Sequence, residues 1–234
     1  MEFERVAIVS DIHSNIYALR KFLQYIEEYN VKLILNCGDF LQIGPNPTEV
    51  YDIVMSNKKF VNILGNNDLA LIDRNLMQFK DNEISHQNWV IQQLGVERIN
   101  RLKEIAINRT VIINKVKFLM VHTRLDNIID LPLLYHEKPI EDYTMDYGDD
   151  CDYVLLGHIH YQSLISHWKG KTVINSGSLG CSKDNTINFV VANIKDDDIG
   201  FEFKKVKYNS NPVIEDLKTF NVPDSDNIIK CFFK

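Results

Sequence analysis

The stretch Cys151-Asp152-Tyr153-Val154-Leu155-Leu156-Gly157-His158-Ile159-His160 decides the reading of this chain. Tyr153 to Leu156 is apolar on both faces and too short for a helix, so it predicts a buried strand that Gly157 stops. Two histidines follow at its carboxyl end. Residues i and i+2 of extended chain point to one side, so His158 and His160 can face the same site. Ligands of open α/β sheets gather just beyond the carboxyl ends of strands. Taken alone, a His-x-His pair is as readily two surface histidines.

The same punctuation recurs along the chain. Val6 to Val9 is an apolar run ending in Ser10-Asp11-Ile12-His13-Ser14-Asn15, and Leu33 to Leu35 ends in Asn36-Cys37-Gly38-Asp39. Phe60 to Leu64 ends in Gly65-Asn66-Asn67-Asp68, and Val116 to Val121 ends in His122. Five predicted strands each deliver Asp, Asn or His at the same end, which chance does not readily supply.

With 234 residues, 45% hydrophobic and 25% charged, the chain has the composition of an ordinary soluble protein and the length of one α/β domain. We expect one domain over 1–234 with a helical insertion at about 69–106. The net charge is −6 and Lys and Arg are scattered, which excludes a footprint for long nucleic acid and leaves a short nucleotide open. The four cysteines form no Cys-x-x-Cys pair, as expected of reduced thiols in the cytoplasm. No run approaches the length of a membrane span, and Glu2, Glu4 and Arg5 do not begin a signal peptide.

In order, Ala18, Leu19, Phe22, Leu23 and Ile26 recur at helical spacing and predict a helix from about Ile16 to Tyr29. Strand, helix, strand is a parallel crossover that sets Asp39 beside Asp11. Gly44-Pro45-Asn46-Pro47 is a loop, and Thr48 is the expected N-cap of a helix reaching Ser56. Leu69 to Ala106 predicts two or three helices divided at Gly95, with Trp89, Val90, Leu94, Ile99 and Leu102 on the apolar face. This insertion is either a pocket wall or a packed helical subdomain. Its His86, like His136 and His167, is expected at the surface.

Thr110 to Ile113 and Val116 to Val121 predict a hairpin turning at Asn114-Lys115, and Thr123 to Asp150 is an acidic segment of no assigned structure. Further strands are expected at Leu164 to Trp168, Thr172 to Ile174, Asn188 to Ile194 and Gly200 to Val206. The loop Asn175 to Gly180 is placed to pass close to the site. Two sheets are expected, one from each half of the chain.

Together, Asp11-x-His13, Gly38-Asp39, Gly65-Asn66, His122 and Gly157-His158-x-His160 resemble the calcineurin-like metallophosphoesterase superfamily in order and spacing, across roughly Val6 to Gly180. The resemblance implies an α/β fold, a two-sheet mixed sandwich flanked by helices in four α-β-β-α layers. It also implies two divalent metals. Asp11, His13, Asp39 and His160 would hold one, Asn66, His122 and His158 the other, with Asp39 bridging. Carboxylate, amide and imidazole donors suit Mn first, with Fe, Zn, Ni or Co as alternatives, and no cysteine is expected at a ligand position. Two metals about 3.5–4 Å apart would make a bridging hydroxide the nucleophile.

Asp39, Asn67, Asp68 and His122 are the expected catalytic residues, and Asn15, Asn67 and Arg124 the expected substrate contacts. Arg124 enters because its planar fork suits oxyanions, although a solvated arginine reads equally well. Many relatives carry His where this chain has Asn67, and an amide cannot donate a proton at neutral pH. Losing general acid assistance costs about 10²- to 10⁴-fold, least where the leaving group is a phosphate of pKa about 6. Thr123 replaces a usual Gly and Ser176 a usual Pro.

The Trp89 region with Gln92-Gln93-Leu94 resembles bacterial members that include dinucleoside polyphosphate hydrolases. The expected activity is therefore hydrolysis of phosphodiester or phosphoanhydride bonds in a small phosphorylated substrate, a nucleotide. A general phosphodiesterase and a protein-binding scaffold with the same fold are the rivals.

Overall fold

The computed structural model describes residues 4–76, 78–125, 128, 147–148, 150–166, 171–196 and 198–234. Most of the acidic segment, with His136, His167 and Trp168, lies outside them. Two five-stranded mixed sheets, flanked by helices, carry the chain.

In the first sheet β1 (Glu4–Val9), β2 (Leu33–Asn36) and β3 (Phe60–Asn62) run parallel. The side-chain period of two divides β1 cleanly. Ala7 and Val9 pack toward the helices, while Val6 and Ile8 pack into the core between the sheets. The helical face is covered by α1 (Ile16–Glu28), α2 (Pro47–Ser56) and α4 (Asp81–Leu102), with the short α3 (Asn66–Ala70) between β3 and α4. The second sheet has the order β4-β5-β6-β8-β7, from β4 (Asn108–Ile113), β5 (Val116–Val121), β6 (Tyr153–Leu156), β7 (Gln162–Ile165) and β8 (Thr172–Ser176).

Several expectations hold. The β4–β5 turn puts Asn114 and Lys115 at φ 47° and 72°, the left-handed pair a two-residue hairpin needs. Gly95, at φ 71°, interrupts α4 where a helix break was expected.

Others are corrected. The sheets are not divided between the halves of the chain: β9 (Thr186–Lys195) pairs antiparallel with β1 and carries β10 (Asp198–Lys207) at its far edge. Ile187, Phe189 and Val191 join the helical core, while Val190, Ala192 and Ile194 join the core between sheets. A strand apolar on both faces is buried by taking a central place. Thr48 is not an N-cap, because α2 starts at Pro47, whose missing N–H suits the first turn. Thr48 Oγ1 instead donates to Gln93 O on α4 at 3.0 Å.

His86 is 6% exposed rather than superficial. It accepts from the Ile43 N–H at 2.9 Å through Nε2 and faces Pro223 O at 3.2 Å through Nδ1. Beyond β10 come two helices that no sequence signal announced, α5 (Asn211–Thr219) and α6 (Ser225–Phe232). They bury Val213, Leu217, Ile228, Ile229 and Phe233 around Cys181.

Candidate metal centre

Five loops at the carboxyl ends of parallel strands meet in one place. Asp11, His13, Ser14, Asp39 and His158 all lie at φ between 48° and 66°, a region non-glycine residues seldom occupy. Backbone bonds hold them there: Asp11 N–H to Gly38 O at 3.0 Å, His13 N–H to Asp39 O at 3.1 Å, and Gly180 N–H to Asp11 O at 3.0 Å. The loop from Asn175 does pass close, as expected.

Two glycines permit the approach. Gly38, at φ 93°, has no room for a Cβ, which would stand 2.5 Å from Gly65 N. A Cβ on Gly65 would fall 2.0 Å from Asp39 Oδ1.

The expected ligands gather into two groups. Asp11, His13 and Asp39 offer donor atoms within 4.8 Å of one another, and so do Asp39, His122 and His158, so Asp39 belongs to both. His160 Nε2 lies 3.2 Å from His13 Nε2 and 3.5 Å from Asp11 Oδ1, on the first group. Asn66 Oδ1 lies 2.8 Å from His158 Nδ1, on the second. His158 and His160 thus face neighbouring groups.

The imidazoles are oriented from behind. His122 Nδ1 is 2.7 Å from Cys37 O and His13 Nδ1 is 3.2 Å from Leu41 O. A carbonyl only accepts, so these nitrogens carry the protons and each Nε2 points its lone pair into the site.

These residues fit a pair of divalent cations. Asp11 Oδ1 and His122 Nε2 are buried without a hydrogen-bond partner, although His122 Nε2 is only 3.2 Å from Asp39 Oδ2. Such orphaned groups cost about 1–3 kcal/mol each unless another acceptor of their lone pairs is present. Carboxylate, amide and imidazole are donors for first-row divalent metals.

Cys181 comes near the first ligand group, but burial pushes its thiol well above the ordinary range, which disfavours the thiolate that a metal would need. Its Sγ lies within 4.8 Å of the His13 and His160 donors, brought there by the Ser178–Gly180 loop.

The charges are coupled. Burial resists ionisation of Asp11, but the imidazoles of His13 and His160 hold its carboxyl well below the usual range. Burial likewise opposes ionisation of Asp39, and the neighbouring His122 outweighs it, down to about 2. Asp68 goes the other way, pushed up to about 7 by burial and then by the charge of Asp39.

Two expected residues are spent on structure. Asp68 is fully buried and accepts from the N–H groups of Phe40, Leu41 and Gly65 at 3.3, 3.0 and 3.1 Å, so it positions two ligand loops instead of meeting substrate. Asn15 caps α1 through Oδ1 and donates to Gly180 O and Tyr208 Oη at 2.7 and 2.9 Å, which leaves its amide no part in binding substrate. Asn67 donates to both oxygens of Asp39, from its backbone at 2.8 Å and its side chain at 2.5 Å. Arg124 is half-buried just past His122.

The calcineurin-like phosphoesterase superfamily domain matches residues 5–197, and the chain belongs to that superfamily of metal-dependent phosphoesterases. An uncharacterized protein of Methanocaldococcus jannaschii is 23% identical over 236 residues, covering 94% of each chain. The structure of a hypothetical protein from Pyrococcus horikoshii OT3 is similar over 100% of this chain and 98% of that one, with TM-score 0.83 and 19% identity. A metallophosphoesterase from Sphaerobacter thermophilus matches over 97% of both chains, with TM-score 0.74 and 20% identity. At these identities the likeness establishes the fold. Among the described residues no helix is long and apolar enough to cross a membrane.

Proposed function

We propose that the chain hydrolyses phosphodiester or phosphoanhydride bonds of nucleotides, with dinucleoside polyphosphates as the specific substrate class. Asp11, His13, Asp39 and His160 would hold one divalent metal, and Asp39, Asn66, His122 and His158 the other, manganese first among the candidates. The observation that carries the reading is Asp39, within donor reach of both ligand groups and clamped through both oxygens by Asn67. When bound, two such cations supply Lewis-acid neutralisation of phosphoryl charge and an acidified water.

The chain's own residues supply orientation. Cys37 O and Leu41 O fix the tautomers of His122 and His13, the His158 N–H bonds Asp11 Oδ2 at 3.0 Å, and Asp68 ties the Asp39 and Asn66 loops together. Preorganised dipoles of this kind cost no rearrangement as charge develops. Asn67 stands where a proton donor would assist departure, and its amide cannot give a proton. A departing phosphate of pKa about 6 needs none, which favours anhydrides over alkyl monoesters. Arg124, at the mouth of the His122 loop, is the proposed contact for a distal phosphate.

The test is hydrolysis of diadenosine tetraphosphate by protein stripped of metal and reloaded with Mn²⁺, with products separated by ion exchange. ADP alone means symmetrical cleavage, and ATP with AMP means asymmetrical cleavage. No product from a preparation that still cleaves bis(4-nitrophenyl) phosphate would replace this reading with a general phosphodiesterase. Inactivity on both, with metal bound, would favour the scaffold.

A further inference from the structure

A second feature adjoins the ligand cluster and involves none of its metal-facing atoms. A cavity of about 250 Å³ lies between α4, the loop after β2, and α6. It meets the centre at two points: Asn67, whose amide donates to Asp39, and Phe232, whose ring centroid lies 5.7 Å from that of His160.

Its wall contains Gln87. That side chain is 1% exposed, and neither its Oε1 nor its Nε2 has a hydrogen-bond partner among the described residues. A buried amide with both its donor and its acceptor unmet is costly unless a ligand satisfies it. The neighbouring His86 offers no such surplus, since both its ring nitrogens already have backbone partners.

We propose that this cavity is a nucleobase subsite, in which the Gln87 amide pairs with the edge of a base whose phosphates lie on the metal centre. The inference rests on the nucleotide reading above. A carboxamide matches the adjacent donor and acceptor that a base edge presents. Phe79 and Phe232 supply aromatic faces, on which bases stack. None of the lining residues is Lys or Arg, while Glu83 and Asp224 are present, so the cavity disfavours a second anionic group and suits the uncharged end of the substrate. Its volume falls below the range of about 300–1,000 Å³ typical of sites enclosing a whole drug-sized ligand, which leaves room for a base rather than a dinucleotide.

Gln87→Leu, in Mn²⁺-loaded protein, is the decisive variant. Because it removes an unpartnered amide, its thermal midpoint should equal or exceed that of wild type. We expect KM for diadenosine tetraphosphate to rise about tenfold or more, by at least tenfold more than any change on bis(4-nitrophenyl) phosphate, which carries no base. Calorimetry with the four nucleoside 5′-monophosphates should show at least one that binds wild type and is weakened about tenfold by Gln87→Leu. Phe79→Ala, at a half-buried loop position, should weaken the same nucleotide and serves if the first variant misfolds.

A Gln87→Leu protein with unaltered nucleotide affinity overturns the inference and leaves the proposed activity standing. So does wild type that binds none of the four monophosphates while hydrolysing the dinucleotide. Binding that depends on Gln87, in an enzyme inactive on diadenosine tetraphosphate, upholds the subsite and refutes the dinucleotide reading.

Discussion

Acid should loosen this protein through His86. Its ring is buried, accepts from the Ile43 N–H and faces Pro223 O, tying α4 to the loop after β2 and to the start of α6. Burial lowers its pKa from the ordinary 6.5 to about 4. The folded state therefore favours the neutral ring. Stability is fully present above pH 6.5 and is lost as pH falls through the window from 6.5 to 4, where the unfolded chain takes up the proton first. Each pKa unit is about 1.4 kcal/mol, so the full loss is about 3 kcal/mol, and about 2 kcal/mol is gone by pH 5. For a chain of this size that is a fall of about 4–8 °C in thermal midpoint. His86→Gln keeps a donor and an acceptor and cannot titrate. Thermal unfolding of metal-loaded wild type and His86→Gln at pH 7 and pH 5 makes the comparison. The variant should lose about 2 kcal/mol less over this interval, even if it starts lower. Parallel pH profiles would refute the assignment of a neutral, load-carrying imidazole.

Three further outcomes follow from the site. Asp39→Asn should cut turnover by well over 10²-fold, since loss of a mere supporting group behind a ligand costs about 10- to 100-fold, and elemental analysis should show reduced metal content. Near wild-type turnover would show that Asp39 is not shared between metals. Asn67→His should raise turnover of an alkyl phosphomonoester about tenfold or more relative to an activated aryl ester, as expected if a proton donor is what the site lacks; equal gains on both would point elsewhere. Gly65→Ala would drive a methyl group into Asp39, 2.0 Å from Oδ1 and 2.5 Å from its backbone nitrogen, so a loss of about 1–3 kcal/mol in urea unfolding should accompany weaker metal retention.

The candidate ligand groups were legible because each is local. A short apolar run sets a strand, the strand sets a carboxyl end, and His158 and His160 or Asp11 and His13 follow within a few residues. What stayed hidden depends on partners far away in sequence. Asn15 and Asp68 carry the right chemistry at the right spacing, and only their neighbours Gly180, Tyr208, Phe40 and Leu41 show that their polar atoms are taken. His86 looked superficial because its partners lie 43 and 137 residues away. The Ile228-Ile229 pair and Phe232 of α6 are too few to announce a helix, yet that helix closes the cavity beside the centre. Placing β9 required knowing that β1 had an open edge, which no local pattern records.

The coupling among the buried charges also explains why proton and metal would compete at this centre. Burial disfavours protonation of His122, but the charge of Asp39 outweighs it and raises the imidazole to about 9. A proton taken up on His122 Nε2 would occupy the lone pair that a metal would use. A cation held by Asp39 and His122 would compete with a proton for that imidazole and would offset the charge of the same carboxylate. Apparent metal affinity should consequently climb as pH rises toward 9, for a reason independent of the chemistry performed on substrate. Asp68 would respond to such a cation in the opposite sense. It is pushed up by burial and then by the charge of Asp39, so a cation that offset this charge would favour the carboxylate form, which accepts from the N–H groups of Leu41 and Gly65.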